Sequence, residues 1–168
     1  MEDSVRIIAL DPGGSTGWAL ADIGFNDDKN CYEIGYRHGQ LEMREHHFHL
    51  WQLLAQLDPD ILVSESFEYR NKTRSGLELV SREYIGIAKL FGTVNSIPVV
   101  LQTASMAKGF VTNDNIHLAT GWVPSYDNRH AADAYRHLLY YLINVHLVGK
   151  DNSQITKLRN HILNQAWK

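Results

Sequence analysis

Apolar residues follow two patterns along the chain, separated by polar segments. Some form short, nearly continuous runs, and others recur at helical spacing. Residues 5–10, 61–63 and 98–101 form nearly continuous apolar runs, which are typical of strands buried on both faces. Residues 17–23 and 31–41 are less regular, and we interpret them as two further strands. The first of these two follows a tight turn and is expected to pair with 5–10 as a hairpin. The pattern predicts five strands.

Apolar residues recur at helical spacing between and after the later strands. The segments with this pattern are 45–57, 75–95 and 128–145, together with the weaker 155–167. Residues 103–110 are expected to form a short helix or a turn. Ser75 and Glu78 fit a capping box for the second helix, and Asp127 or Asn128 fits the N-cap of the helix at 128–145. Residues 111–127 show the least pattern, and no element is predicted there.

The order of elements is three strands, a helix, a strand, a helix, a strand and a helix. Three linked strands followed by βαβ units form a mixed sheet with helices on its faces. We therefore predict an α/β fold with a mixed five-stranded sheet, three antiparallel strands followed by βαβα. Residues 1–148 are expected to form this domain, and 149–168 a helical extension of it.

Composition narrows the class of protein. The 168 residues are 44% hydrophobic and 21% charged, which is ordinary for a globular domain with a real core. No apolar run approaches the length of a membrane span, and the N-terminus lacks the features of a signal peptide. Cys31 is the one cysteine, which excludes an internal disulfide and suits a reducing cytoplasm. The formal net charge of −3 argues against a generally basic surface, although clustered carboxylates at a metal site lower such a total.

Carboxylates stand at the ends of two predicted strands. Asp11 ends the run 5–10 and opens a turn with Pro12 and three glycines, and Glu65 ends the run that begins at Ile61. A lone Asp at such a place is usually a turn-former. If the two strands are parallel neighbours, however, both carboxylates emerge at one edge of the sheet. The pair therefore indicates a functional site.

The helix at 128–145 brings further candidate ligands. His130, Asp133 and His137 share one face at i, i+3 and i+7, and the alanines between them allow a close approach to the sheet. Oxygen and nitrogen ligands of this kind suit one or two Mg²⁺ or Mn²⁺ ions. Two ions about 3.5–4 Å apart activate a water and stabilise the leaving oxygen in phosphodiester hydrolysis. We interpret His137 as a supporting or packing residue rather than a ligand.

Three motifs taken together resemble the RuvC family of Holliday-junction resolvases, in the ribonuclease-H-like superfamily. They are Leu-Asp-Pro-Gly-Gly-Ser-Thr-Gly at 10–17, Ser-Glu-Ser-Phe at 64–67 and His-Ala-Ala-Asp-Ala at 130–134. The similarity covers roughly residues 5–145. The stretch 112–127 is shorter and less basic than in bacterial resolvases, which favours a phage or mobile-element type with broader activity on branched DNA. A phage-encoded protein of this kind is expected in the host cytoplasm.

The resemblance implies a set of catalytic residues. Asp11, Glu65, His130 and Asp133 correspond to the family's metal ligands, which hold two Mg²⁺ or Mn²⁺ ions per active site. Asp11 would bridge both ions, and Glu65 would position the attacking water. A histidine at position 130 supplies less negative charge than an aspartate, which favours Mn²⁺. Lys108 resembles the family's lysine near the scissile phosphate and would stabilise the developing charge.

The resemblance also suggests how DNA is bound. The loop after Glu65 carries three cations for phosphate contacts and two aromatic residues for stacking on an unpaired base, namely Arg70, Lys72, Arg74, Phe67 and Tyr69. The helix that begins near Ser75 has apolar residues beyond one stripe, either for burial in the monomer or for the family's two-fold dimer. We expect a homodimer that acts on four-way junctions and also on flaps and forks.

Two other classes of function remain open. The turn at 11–17 also resembles the phosphate turn of actin-like ATPases, although a second glycine-rich turn and a longer chain would be expected for that class. A catalytically inactive ribonuclease-H-like DNA-binding scaffold would not need the complete acidic set. The sequence therefore favours a Mg²⁺- or Mn²⁺-dependent endodeoxyribonuclease that resolves branched DNA.

Overall fold

The structure is a computed structural model, and it describes residues 4–29, 31–42, 47–66, 77–148, 156–157 and 159–160. The strands are β1 (Val5–Asp11), β2 (Ser15–Asn26), β3 (Cys31–Glu42), β4 (Ile61–Glu65) and β5 (Val99–Gln102). The α-helices are α1 (His47–Leu57), α2 (Leu77–Asn95), α3 (Ala104–Lys108), α4 (Asn113–Thr120) and α5 (Arg129–Tyr141). A 3-10 turn at Tyr126–Asn128 precedes α5, and a π-helical segment at Leu142–His146 continues it.

The five strands form one mixed sheet in the order β3-β2-β1-β4-β5. β1, β2 and β3 pair antiparallel, whereas β4 runs parallel to β1 and β5 parallel to β4. Leu10 lies beside Ser64 across the β1–β4 pair. Asp11 and Glu65, one residue further along each strand, therefore end at the same edge of the sheet. The predicted fold class and the shared edge are confirmed.

The sheet is covered by helices on both faces, and β1 shows why its apolar run is continuous. Ile7 and Ala9 pack on the side of α5, whereas Ile8 and Leu10 pack on the side of α1 and α2. Successive strand residues point to opposite faces, so a strand covered on both sides needs an apolar residue at each position. All four of these side chains are essentially inaccessible to solvent.

Helix α4 lies in the stretch 111–127, where no element was predicted, so that expectation was wrong. α4 is polar and buries one large apolar side chain, Ile116, so hydrophobic periodicity gives almost no signal. Its local chemistry is clear, because Thr112 and Asn115 form a reciprocal capping box and Gly121 ends the helix with φ 74°.

The predicted N-cap of α5 is right in position but wrong in its side-chain contact. Asn128 occupies the N-cap position, but its side chain makes no capping bond to the helix. Its Oδ1 accepts instead from the backbone N–H of Ser125 at 2.6 Å. The predicted Ser75 cap lies outside the described residues, as does the helix at 155–167 apart from four helical positions. In the described part of the chain, no helix is long and apolar enough to cross a membrane.

Candidate active site

The structure brings the five predicted catalytic residues to one edge of the sheet. Asp11 and Glu65 are the last residues of β1 and β4, and Lys108 is the last residue of α3. His130 and Asp133 lie in the first five residues of α5. Residues far apart in sequence are thus gathered by the strand ends and by the start of one helix.

The ammonium of Lys108 lies among three carboxylates. Its Nζ is 3.3 Å from Asp11 Oδ1, 2.9 Å from Glu65 Oε2 and 2.9 Å from Asp133 Oδ2. The Asp11 side chain is 10% exposed and that of Lys108 is 34% exposed. Charge-assisted hydrogen bonds of this kind are stronger than neutral ones, so the ammonium holds the three carboxylates around one point.

Polar side chains next to the cluster form hydrogen bonds that fix the acidic side chains. Asp11 Oδ2 accepts from His130 Nδ1 at 2.9 Å. Arg136 donates to Asp133 Oδ1, and its Nε donates to the backbone carbonyl of Val111 at 3.1 Å. Sequence reasoning missed Arg136, although its i, i+3 spacing from Asp133 on one helix face was a usable signal.

His137 is completely buried behind Glu65. Its Nε2 lies 3.1 Å from Glu65 Oε2, and its Nδ1 lies 3.0 Å from Oε1 of Gln102 on β5. This matches the supporting role expected for His137. Gln102 was missed by sequence reasoning, because a glutamine at the end of a strand gives no local signal of its partner.

The acidic groups differ in how readily they ionise. Burial raises the pKa of Asp11 and, together with the Asp133 and Glu65 carboxyl groups, outweighs the opposing effects of His130 and Lys108. Burial would also raise the pKa of Glu65, but hydrogen bonds from His137 and Lys108 lower it to about 2. Glu65 is therefore ionised at neutral pH, and Asp11 is the more costly carboxyl to charge.

The same carboxylates act on the pKa of Lys108. Burial alone would lower that pKa, but Asp11, Glu65 and Asp133 raise it above the ordinary lysine value. The ammonium therefore stays charged at neutral pH. Together with Arg136, which pairs with Asp133, it offsets the negative charge of the acidic cluster.

The acidic cluster fits a divalent cation by its donor chemistry. Within the described residues, no group of three or more His, Cys, Asp or Glu side chains is arranged to hold a metal ion. The central position is taken instead by the Lys108 ammonium, which acts as a stand-in cation contacting three carboxylates. Carboxylates with a nearby imidazole are ligands that Mg²⁺ and Mn²⁺ accept. Asp11, Glu65 and Asp133 are thus suited to hold such an ion, with His130 beside them.

The predicted DNA contacts cannot be placed in the same way. Phe67, Tyr69, Arg70, Lys72 and Arg74 lie outside the described residues, in the segment that follows β4 and Ser66. They stay predictions from the sequence.

The expected dimer helix α2 is described from its first residue, with side chains from position 80. Leu90 and Val94 are 56% and 62% exposed, whereas Ile87 packs against the core formed with α1. Leu90 and Val94 therefore form an exposed apolar face of α2 within the described part of the chain.

Comparison with solved structures supports the fold. The structure of Thermus thermophilus RuvC matches with a TM-score of 0.57 at 14% sequence identity, over 88% of this chain and 99% of that chain. The T. thermophilus RuvC structure in complex with a Holliday junction substrate matches with a TM-score of 0.55 at 13% identity, over 82% and 92% of the two chains. The chain has the ribonuclease-H-like fold of RuvC. The residues that the sequence predicts as catalytic lie together at one edge of the sheet, two of them at strand ends and three on α3 and α5.

More distant similarity extends to the fowlpox virus resolvase in complex with Holliday junction DNA, with a TM-score of 0.44 at 13% identity over 98% and 100% of the chains. No protein-family model matches the sequence, and a search of curated proteins finds no match. At these identities the RuvC similarity is one of fold, and function has to be argued from the site.

Proposed function

We propose that the protein is a Mg²⁺- or Mn²⁺-dependent endodeoxyribonuclease that resolves Holliday junctions and related branched DNA. The observation that carries the proposal is the convergence of three carboxylates, from β1, β4 and α5, on one cationic centre within 3.3 Å. Three carboxylates face two side-chain cations, the Lys108 ammonium and the Arg136 guanidinium that pairs with Asp133, so the fully ionised cluster keeps an excess of negative charge. That excess suits the binding of divalent ions.

Each residue of the cluster has a defined part in the proposed reaction. Asp11, Glu65 and Asp133, with His130 beside them, would hold the divalent metal, which would supply Lewis-acid activation of water and stabilisation of the leaving oxygen. Glu65 is ionised and fixed by His137, so it accepts hydrogen bonds from the attacking water without first losing a proton. Lys108 keeps its full charge at neutral pH and neutralises the negative charge that develops on the phosphate.

The supporting residues limit reorganisation during the reaction. Arg136 fixes one oxygen of Asp133, and His137 fixes one oxygen of Glu65. Side chains held in advance do not have to be oriented at the moment of reaction, which is the basis of electrostatic preorganisation. The cluster is therefore built for catalysis on an incoming phosphodiester and does not depend on DNA binding to assemble it.

Branched DNA is the proposed substrate because a dimer with two related active sites would make the paired cuts that resolve a four-way junction. One cluster hydrolyses one strand, and a two-fold dimer through α2 places two clusters on opposed strands. The exposed Leu90 and Val94 support that arrangement. The cationic segment 70–74 comes shortly after Glu65 in sequence, and phosphate contacts there would guide a strand to the site.

Activity on a panel of DNA substrates tests the proposal. A fixed four-way junction, a flap, a fork and a linear duplex with the same arm sequences are incubated with the protein in MnCl₂ or in EDTA, and ATP binding is measured in parallel. We expect Mn²⁺-dependent paired nicks in the junction, slower cutting of the linear duplex and no ATP binding. ATP binding without DNA cleavage would favour the actin-like alternative. Junction binding without cleavage would favour an inactive scaffold.

A further inference from the structure

Three residues from three strands form a row beneath the start of α5. Asp11 of β1 lies opposite Gly17 of β2, and Gly17 lies opposite Gln40 of β3. A Cβ atom added to Gly17 would collide with the backbone carbonyl of His130 and would lie 2.7 Å from the backbone nitrogen of Ala131. The backbone of the first turn of α5 therefore rests directly on the strand at Gly17, with Asp11 on one side and Gln40 on the other.

Gln40 binds the backbone around the start of α5 with both ends of its amide. Its Oε1 accepts from the backbone N–H of His130 at 3.0 Å and from that of Ala131 at 3.4 Å. Its Nε2 donates to the backbone carbonyl of Asp127 at 2.9 Å. The first N–H groups of a helix have no partner within the helix, and here a side chain 90 residues away in sequence takes the place of a local cap.

His130 is consequently held from two sides by the same row. Its backbone N–H is bound by Gln40, and its ring Nδ1 is bound by Asp11 at 2.9 Å. Asp133 lies one turn further along α5 and faces Lys108. Displacement of the first turn would therefore move His130 and Asp133 away from Asp11 together.

We propose that Gln40 is a positioning residue that sets the placement of α5 against β1 and so holds the two helix ligands at the acidic cluster. In this role it acts through the backbone at the start of α5, which it contacts at Asp127, His130 and Ala131. The proposal rests on the proposed nuclease function for its kinetic consequences, but the contact between Gln40 and α5 is testable without catalysis. Sites of this kind need their ligands placed to within about 0.5 Å, so a loosened first turn affects rate more than folding.

Two substitutions separate the contacts of Gln40. Gln40→Met keeps a similar volume and removes every hydrogen bond of the side chain. Gln40→Glu keeps the oxygen that accepts from His130 and Ala131, loses the donation to Asp127, and places negative charge at a helix N-terminus, where it is favourable. Gln56→Met, at an exposed position of α1, is the matched control.

Amide hydrogen exchange measured by NMR gives the direct readout. We expect Gln40→Met to speed exchange of the His130 and Ala131 amides about tenfold, the size expected for losing one to two ordinary hydrogen bonds. Gln40→Glu is expected to retain the protection, and Gln56→Met to leave it unchanged. The ¹⁵N resonance of His130 Nδ1 is expected to shift in Gln40→Met, because the ring loses its fixed position against Asp11.

Kinetics on junction DNA distinguish positioning from a general structural role. Gln40→Met is expected to lower kcat about tenfold with little change in KM, and Gln40→Glu to restore most of it. Unchanged amide exchange and an unchanged His130 resonance in Gln40→Met would overturn the proposal. A wild-type protein that cuts no DNA would overturn the proposed function alone, and the exchange data would still decide the role of Gln40.

Discussion

Replacing Lys108 with methionine is expected to destabilise the fold and to increase the stabilisation that a divalent ion gives. The Lys108 ammonium is the shared partner of three carboxylates within 3.3 Å. Removing one partner from a buried ion pair costs about 3–5 kcal/mol, and we take about 3 kcal/mol because the lysine is 34% exposed to solvent. At about 2–4 °C per kcal/mol for a chain of this size, the melting temperature in EDTA should fall by roughly 6–12 °C.

A divalent ion is expected to offset most of that loss. An ion present at about 100 times its dissociation constant stabilises the folded state by about 2.7 kcal/mol. In the wild type the Lys108 ammonium occupies the position between the carboxylates and competes with the ion, whereas in Lys108→Met it does not. Calorimetry in EDTA and in MnCl₂ should therefore show a larger Mn²⁺-induced rise in melting temperature for Lys108→Met than for the wild type. Lys89→Met, at an exposed position of α2, is the control. Equal Mn²⁺ shifts in the two proteins, or a variant that melts like the wild type in EDTA, would refute the cationic role assigned to Lys108.

Three further predictions concern DNA binding, assembly and pH. Replacing the three cations of the segment 70–74 with alanine should weaken junction binding and reduce the slope of log K against log salt by roughly 0.9 for each lost phosphate contact. An unchanged slope in binding titrations would show that this segment does not touch phosphate. Introducing Glu at both Leu90 and Val94 should yield a monomer in analytical ultracentrifugation that no longer makes paired cuts, and a variant that sediments as a dimer would contradict the α2 interface. In EDTA, the free energy of unfolding of the wild type should decline as pH falls from about 4.5 toward 2, because the folded pKa of Glu65, about 2, lies below its ordinary 4.5. Glu65→Gln should flatten this decline. The same decline in the variant and in the wild type, measured by urea titrations, would contradict the assignment to Glu65.

The sheet and its acidic edge were predictable because their signals are local. β1 and β4 each combine a short apolar run with a terminal carboxylate, and the parallel pairing of two such strands necessarily places Asp11 and Glu65 together. The helical spacing of His130 and Asp133 likewise needs only a few residues of sequence. Periodicity and turn chemistry act over such distances, so they place these residues correctly.

The residues that hold the acidic cluster and the start of α5 in place could not be predicted, because their roles depend on contacts between distant elements. Gln40 caps α5 from strand β3, whereas capping rules consider only the residues next to a helix. The acceptance of a Ser125 N–H by Asn128 removes the local cap that the sequence suggested. Gln102 becomes a partner of His137 only when β5 lies beside α5.

Single-turnover cleavage of a four-way junction by the wild type and by Asp11→Asn tests the central claim most directly. The substitution removes the carboxylate charge at the centre of the site while keeping the side-chain volume, and Asp28→Asn in an exposed turn is the control. Because the pKa of Asp11 is raised, charging this carboxyl costs folding free energy in the metal-free protein. Asp11→Asn is therefore expected to melt no lower than the wild type in EDTA.

Asp11→Asn should then differ from the wild type and the control only in cleavage of the junction. We expect the wild type and Asp28→Asn to cut the junction in MnCl₂ but not in EDTA. Asp11→Asn should bind the junction with unchanged affinity and leave it intact. Near wild-type cleavage by Asp11→Asn, or a wild-type protein that leaves the junction uncut in MnCl₂, would contradict the assignment of this cluster as a metal-dependent nuclease site.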